Sequence, residues 1–145
     1  VPLIADYKKT QAKEKPTIVA FLCNWCSYAG ADAAGTSRFK QPPDVRIIRV
    51  PCSGRLDWLI IAKTFKEGAD GVLVSGCHPG DCHYTEGNYY ARRKLEALKR
   101  YLPLFGIEEG RFEYTWVSAS EGKRWADVVT EFTEQIHKLG VRKAG

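Results

Sequence analysis

Five cysteines stand in a chain of 145 residues, and their spacing is the first thing in the sequence that could do chemistry. Two fall in Cys23-Asn-Trp-Cys26, two in Cys77-His-Pro-Gly-Asp-Cys82, and Cys52 lies between them. An odd number of thiols cannot all be paired in internal disulfides, and in a reducing compartment clustered cysteines point to metal or redox chemistry rather than to staples. The two-residue gap lets both thiolates of the first motif grip one metal ion. The longer gap of the second is bridgeable when its Pro-Gly turn folds back. Gly54, Gly76 and Gly80 lie near these cysteines, where backbone N–H groups can approach sulfur and offset its negative charge. One Cys-x-x-Cys is a weak signal, whereas two pairs with a fifth cysteine are a strong signal for metal and a weaker one for which metal.

These thiols act together only if the fold gathers them. Four short apolar runs read as strands: Thr17 to Cys23, Val45 to Cys52, Gly71 to Cys77 and Arg111 to Ser118. Each is mostly apolar on both faces, as a strand buried between two helical layers should be. Between them come a short helix over Ala31 to Phe39 and longer ones over Arg55 to Glu67 and Gly87 to Leu102. The last helix is the clearest. Trp125, Val128, Val129, Phe132, Ile136 and Leu139 fall on one face, with Ser118 and Glu121 in the form of a capping box ahead of it. Right-handed crossovers between such strands give a single-domain, doubly wound, flavodoxin-like α/β fold: a four-stranded parallel sheet with helices on both faces. Cys23, Cys52 and Cys77 then end three strands, with Cys26 and Cys82 in the following loops. All five converge on one edge of the sheet, and the switch-point crevice opens between the Cys23 and Cys77 loops.

The remaining composition narrows the class. Hydrophobic residues at 44% and charged residues at 27% describe a globular domain and exclude disorder, collagen-like repeats and a membrane span. No apolar run has the length of a bilayer crossing or the form of a signal peptide, so the expected location is the cytoplasm. The absence of Met, position 1 included, reads as a removed initiator. Residues 1–16 are expected to form a polar N-terminal arm and 17–145 the α/β domain that carries the cysteines. A net charge of +5 suits an anionic protein surface without calling for nucleic acid.

On these residues the chain resembles a known family, the delta (iron-sulfur) subunit of methyl-viologen-reducing hydrogenases, also found fused to the flavin-containing subunit of heterodisulfide reductase in methanogens. The resemblance runs from Ile18 to Leu139 through Cys23-Asn-Trp-Cys26-Ser-Tyr-Ala-Gly30, Pro51-Cys-Ser-Gly-Arg55, Gly68-Ala-Asp-Gly-Val-Leu-Val74 and Gly76-Cys-His-Pro-Gly-Asp-Cys-His-Tyr84. It implies a [2Fe-2S] cluster and no bond chemistry of the chain's own. The implied role is an electron relay between a NiFe hydrogenase, through its small subunit, and the flavin-containing subunit of heterodisulfide reductase. The family's cysteines fall on Cys23, Cys26, Cys52, Cys77 and Cys82.

Other readings of the same residues stay open. A structural zinc site also takes four thiolates. A thiol–disulfide oxidoreductase would use Cys23 and Cys26 as its redox pair, which leaves three cysteines unexplained. A cysteine phosphatase needs Arg six positions after its nucleophile, where this chain has Ala29, Asp32, Trp58, His83 and Asn88 in turn. An FMN site needs a Ser/Thr/Gly-rich loop after the first strand, where this chain has Asn24, Trp25 and a second thiol. His78 and His83 are available as ligands, but with five thiols present they are read as hydrogen-bond donors near the metal or as partner contacts. Trp25 and Tyr84 either shield the metal from water or simply pack their loops. Arg92, Arg93, Lys94, Lys99 and Arg100 make the third helix basic, which is a solvated face or, more sharply, a docking stripe for an acidic subunit. If Cys23/Cys26 face Cys77/Cys82 across the crevice, one pair for each iron, Cys52 is the spare thiol. Cys26 is its competitor for that place.

Overall fold

The structure, a computed structural model, describes residues 16–38, 40, 42, 45–78 and 87–141, with the side chains of 87–89 outside that description. Cys82, His83, Tyr84 and residues 1–15 of the N-terminal arm therefore lie outside the described residues. The elements run β1 (Ile18–Cys23), α1 (Ser27–Thr36), β2 (Val45–Val50), a 3₁₀ turn (Ser53–Arg55), α2 (Trp58–Lys66), β3 (Gly71–Gly76) and α3 (Gly87–Tyr101). Two further 3₁₀ turns (Leu102–Phe105, Glu109–Arg111), β4 (Phe112–Trp116) and α4 (Gly122–Leu139) complete the order. All three strand pairings are parallel and the strand order is β2-β1-β3-β4, so the expected α/β sheet forms and every strand's C-terminal end lies on one edge. Among the described residues no helix is long and apolar enough to cross a membrane.

Alternation of side chains along the strands divides the interior in two. Ile18, Ala20, Leu22 and Leu73 pack with α1 and α4, while Val19, Phe21, Val72 and Val74 pack with α2 and α3. β1 and β3 are buried along their whole length, as their continuous apolar runs require. β2 departs from the expected pattern: its central four residues are exposed on both faces. The physical reason is its place at the edge of the sheet, where neither helical layer extends over it.

Helix starts follow local chemistry that the apolar pattern hides. α2 begins at Trp58, not Arg55, because the Asp57 carboxylate accepts the Ile60 N–H at 3.0 Å and so caps the helix there. α1 begins at Ser27 directly after Cys26 and ends at Thr36. Ahead of α4 only one arm of the expected capping box forms. Glu121 accepts the Ser118 N–H at 3.0 Å, while the Ser118 hydroxyl pairs with that of Ser120. The helix accordingly starts at Gly122, where a Cβ would sit 2.9 Å from the Ala34 backbone nitrogen of α1. The expected apolar face of α4 packs as read, with Trp125, Val129, Phe132 and Ile136 buried and Val128 and Leu139 partly so.

The N-terminal ends of the strands are closed by a polar network. Buried Arg111 donates to the carbonyls of Asp70 (3.0 Å), Gly140 (2.8 Å) and Leu139 (3.3 Å) and pairs with Glu108. The Asp70 carboxylate accepts the Thr17 N–H at 2.8 Å, joining the starts of β3 and β1.

Candidate metal centre

At the opposite ends of the strands, the chemistry begins with the last residue of β1. Cys23 is buried, and its sulfur lies 3.5 Å from that of Cys77, the first residue after β3. This is the contact expected of neighbouring parallel strands that both finish in cysteine. The Ser27 N–H at the start of α1 points at the Cys23 sulfur at 3.4 Å, so the unsatisfied donors of a helix N-terminus face the thiol. The Cys77 thiol, hydrogen-bonded to Cys23, pulls the Cys23 thiol down to about 5; burial opposes this and the Ser27 and Cys26 backbone N–H groups assist it. Cys77 is driven far up by the same hydrogen bond, by burial and by its bond to Cys26. The pair therefore shares one proton between the two sulfurs. Three thiols, Cys23, Cys26 and Cys77, interact at this point.

Cys52 is half-buried and accepts the Gly54 N–H at 3.4 Å, so a backbone donor does reach a thiol sulfur in this turn. Gly76 serves another purpose. A Cβ there would fall 2.8 Å from the Ser53 hydroxyl and 2.9 Å from the Trp116 ring, so its bare backbone lets the turn after Cys52 lie against the end of β3. That turn thus reaches past β1 toward the crevice and does not stand wholly on its far side. Asn24 ties the loop after β1 to β2 through its N–H to the Val50 carbonyl at 2.8 Å.

Two buried serines that the motif reading passed over hold the strand ends in place. The Ser27 hydroxyl reaches the carbonyls of Gly76 (3.0 Å) and Val117 (3.3 Å), and the Ser75 hydroxyl donates to Ser27 at 2.8 Å. The residue following the Cys-x-x-Cys was their one sequence signal. Glu121, read from the sequence only as a capping residue, has a second contact: its carboxylate pairs with His78, the residue after Cys77. It is drawn down to about 2, first by the Ser118 N–H and then by His78. No local pattern links two residues so far apart. Trp25 remains 45% exposed beside the thiols.

The donor set is all sulfur, which suits iron–sulfur clusters or zinc. The Cys23–Cys77 separation of 3.5 Å is close to the ~3.8 Å between two thiolates on one tetrahedral ion. Among the described residues no three His, Cys, Asp or Glu side chains surround one metal-sized position, so the part of the site already formed is this pair with Cys26 beside it. With respect to thiol chemistry, charge and spacing, the residues fit a metal–sulfur group.

Comparison with known proteins adds a second line. The family model for the methyl-viologen-reducing hydrogenase delta subunit matches residues 18–140. An iron-sulfur subunit of the F420-non-reducing hydrogenase of Archaeoglobus profundus is 51% identical over 126 residues, covering 87% of this chain and 92% of that protein. The iron-sulfur subunit of the F420-non-reducing hydrogenase vhc of Methanococcus voltae is 50% identical, over 87% of this chain and 88% of its own length. A subunit of the ferredoxin:CoB-CoM heterodisulfide reductase of Methanosarcina mazei is 43% identical over 86% of this chain, which corresponds to 16% of that longer protein.

Proposed function

Because the chain belongs to the methyl-viologen-reducing hydrogenase delta-subunit family, we propose that it is an electron-transfer subunit, located in the cytoplasm, which holds one [2Fe-2S] cluster at its cysteine end. In this reading it relays electrons between a NiFe hydrogenase, through the small subunit, and the flavin-containing subunit of heterodisulfide reductase. The observation that carries the reading is the Cys23–Cys77 contact, two thiols of adjacent parallel strands brought together at the switch point. The relatives' names support it. Two are called iron-sulfur subunits of a hydrogenase, and a third carries this same stretch within a subunit of heterodisulfide reductase.

When bound, such a cluster supplies a one-electron carrier. The chain's own work is to bind and tune it. Cys23, Cys26, Cys77 and Cys82 are the proposed ligands, with Cys52 the spare thiol and Cys26 its competitor. The Ser27 N–H toward Cys23 offsets negative charge at a ligand sulfur, and the Ser27–Ser75 hydroxyls fix the two strand ends at the spacing the ligands need. Glu121 holds His78, the residue directly after Cys77, at the end of β3. Exposed Trp25 and, in the same role, His83 and Tyr84 are proposed to face the partner subunits, with no catalytic residue among them.

The relay is tested by mixing the iron-loaded chain with hydrogenase under hydrogen and following its visible absorbance. Bleaching is expected, with recovery when hydrogen is removed and the oxidised flavin-containing heterodisulfide reductase subunit is added in excess. An iron-loaded chain that hydrogenase cannot reduce contradicts the role. One observation favours a second reading, a thiol–disulfide oxidoreductase: the low Cys23 thiol at a helix N-terminus. That reading requires a reversible Cys23–Cys26 disulfide in iron-free protein and its turnover with a dithiol.

A further inference from the structure

The two edges of the sheet are finished differently. In β4 the Val117 N–H turns inward to the Gly76 carbonyl, so by alternation the Trp116 carbonyl faces outward. It is not left open: the Arg124 side chain of α4 donates to it at 3.0 Å. Lys99 of α3 pairs with Glu113 of the same strand, and Gln135 reaches the Gly110 carbonyl in the turn just before it. These are the devices by which an edge strand is closed to further pairing. Among the described residues no side chain covers the outer backbone of β2, whose only charges are Arg46 and Arg49. Its Val50 carbonyl turns inward to Asn24, so the N–H and C=O groups of Ile47 and Arg49 point away from β1, and among the described residues no hydrogen bond reaches them. Ile47 and Ile48, on opposite faces, are 41% and 45% exposed.

We propose that β2 is a docking edge, along which an extended, Asp/Glu-bearing segment of a partner protein pairs as a fifth strand. The relay reading enters only in naming which subunits to try. Three observations choose this occupant. The exposed strand is flanked by Arg46 and Arg49, with Arg49 stacked over the Tyr28 ring, so a segment carrying carboxylates is complementary. A second copy is not: β2 carries no carboxylate, and self-pairing would gather four guanidinium groups on one seam of a chain already at +5. Finally, β2 ends two residues before Cys52, and a cavity of about 340 Å³ lined by Asn24, Arg49, Val50 and Pro51 opens at that end. A strand added here finishes beside the thiols. Backbone pairing supplies affinity in such strand addition, and the side chains flanking it supply selectivity.

The test is residue-resolved amide hydrogen exchange on the iron-loaded chain, alone and in its reconstituted complex with the small subunit of the hydrogenase and the flavin-containing subunit of heterodisulfide reductase. Alone, the chain is expected to be monomeric, with the Ile47 and Arg49 amides exchanging freely. In the complex both are expected to slow at least tenfold. Ile47→Pro removes one outward N–H and leaves the inward bonds of Arg46, Ile48 and Val50 intact, so it is expected to weaken binding tenfold or more without changing the denaturation midpoint of the isolated chain. Arg46→Glu is expected to weaken binding and flatten its salt dependence. Unchanged exchange at Ile47 and Arg49 in a formed complex overturns the proposal, as does an isolated chain that is dimeric with those amides already protected. Full binding by Arg46→Glu overturns the acidic character of the partner segment. Failure to form any complex sinks the relay reading as well, and is distinguished from the other outcomes by the absence of a mass shift.

Discussion

The two ends of the sheet both bury polar groups, but to opposite effect. At the N-terminal end Arg111 is surrounded by acceptors: three backbone carbonyls and Glu108, with only its Nε lacking a partner among the described residues. The Asp70 carboxylate there takes the Thr17 N–H. At the C-terminal end, sulfur meets sulfur. Cys23, Cys26 and Cys77 are brought together with one ionised, and the Ser27 and Cys26 N–H groups and the Ser27 hydroxyl assist the charge on Cys23. One end is closed by its own chain and belongs to folding. The other gathers thiol sulfurs, a donor set that suits a metal–sulfur group. In the proposed reading, stability and function are thus separated along the strand direction, as open parallel sheets commonly arrange them.

The separation can be broken from either end. Arg111→Met leaves buried carbonyls without donors and should cost about 3 kcal/mol or more. Chemical denaturation is expected to show the loss, while the iron held per folded chain stays unchanged. Cys77→Ser should do the reverse, with iron content falling below a tenth and the metal-free chain losing only about 1 kcal/mol. Among the single Cys→Ser variants, Cys52→Ser is expected to keep its cluster. If it loses the cluster while Cys26→Ser retains it, the ligand pairs are wrongly drawn.

Protonation sharpens the contrast. With Cys23 lowered to about 5 and Cys77 raised, the folded metal-free pair holds one proton where the unfolded chain, with thiols near 9.0, holds two. Stability of the reduced, metal-free protein should therefore rise from about pH 5 toward pH 9 and fall again above it. Denaturation midpoints across that range are expected to follow this course and to lose the rise in Cys23→Ser. Absorbance near 240 nm should show one thiolate disappearing as pH drops through about 5. The smallest effect on folding belongs to Trp25→Ala. A side chain 45% exposed should change stability by less than about 0.5 kcal/mol, yet weaken assembly with the partner subunits. If the variant unfolds the isolated domain, Trp25 is core and does not face a partner.

What the sequence disclosed divides along similar lines. β1 and β3 were legible because both are buried on both faces, and their position fixed Cys23 and Cys77 at strand ends. β2 has a similar apolar run, but whether Ile47 and Ile48 are covered depends on strand order and helix placement, which a local pattern does not contain. The start of α2 was displaced because a cap outranks the apolar rhythm, as Asp57 shows, whereas α1 starts at Ser27 without a side-chain cap. In the site, the thiols announced themselves by type and spacing. The Cys23–Cys77 contact, the Ser27–Ser75 bond and the His78–Glu121 pair span 54, 48 and 43 positions and came into view only with the fold.

The most direct test of the central claim is an iron, acid-labile sulfide and zinc analysis of anaerobically purified protein, taken with its visible and electron paramagnetic resonance spectra. About two irons and two sulfides per chain are expected, with a brown colour that bleaches on one-electron reduction to a paramagnetic state. Colourless protein carrying one zinc per chain and no sulfide would contradict it.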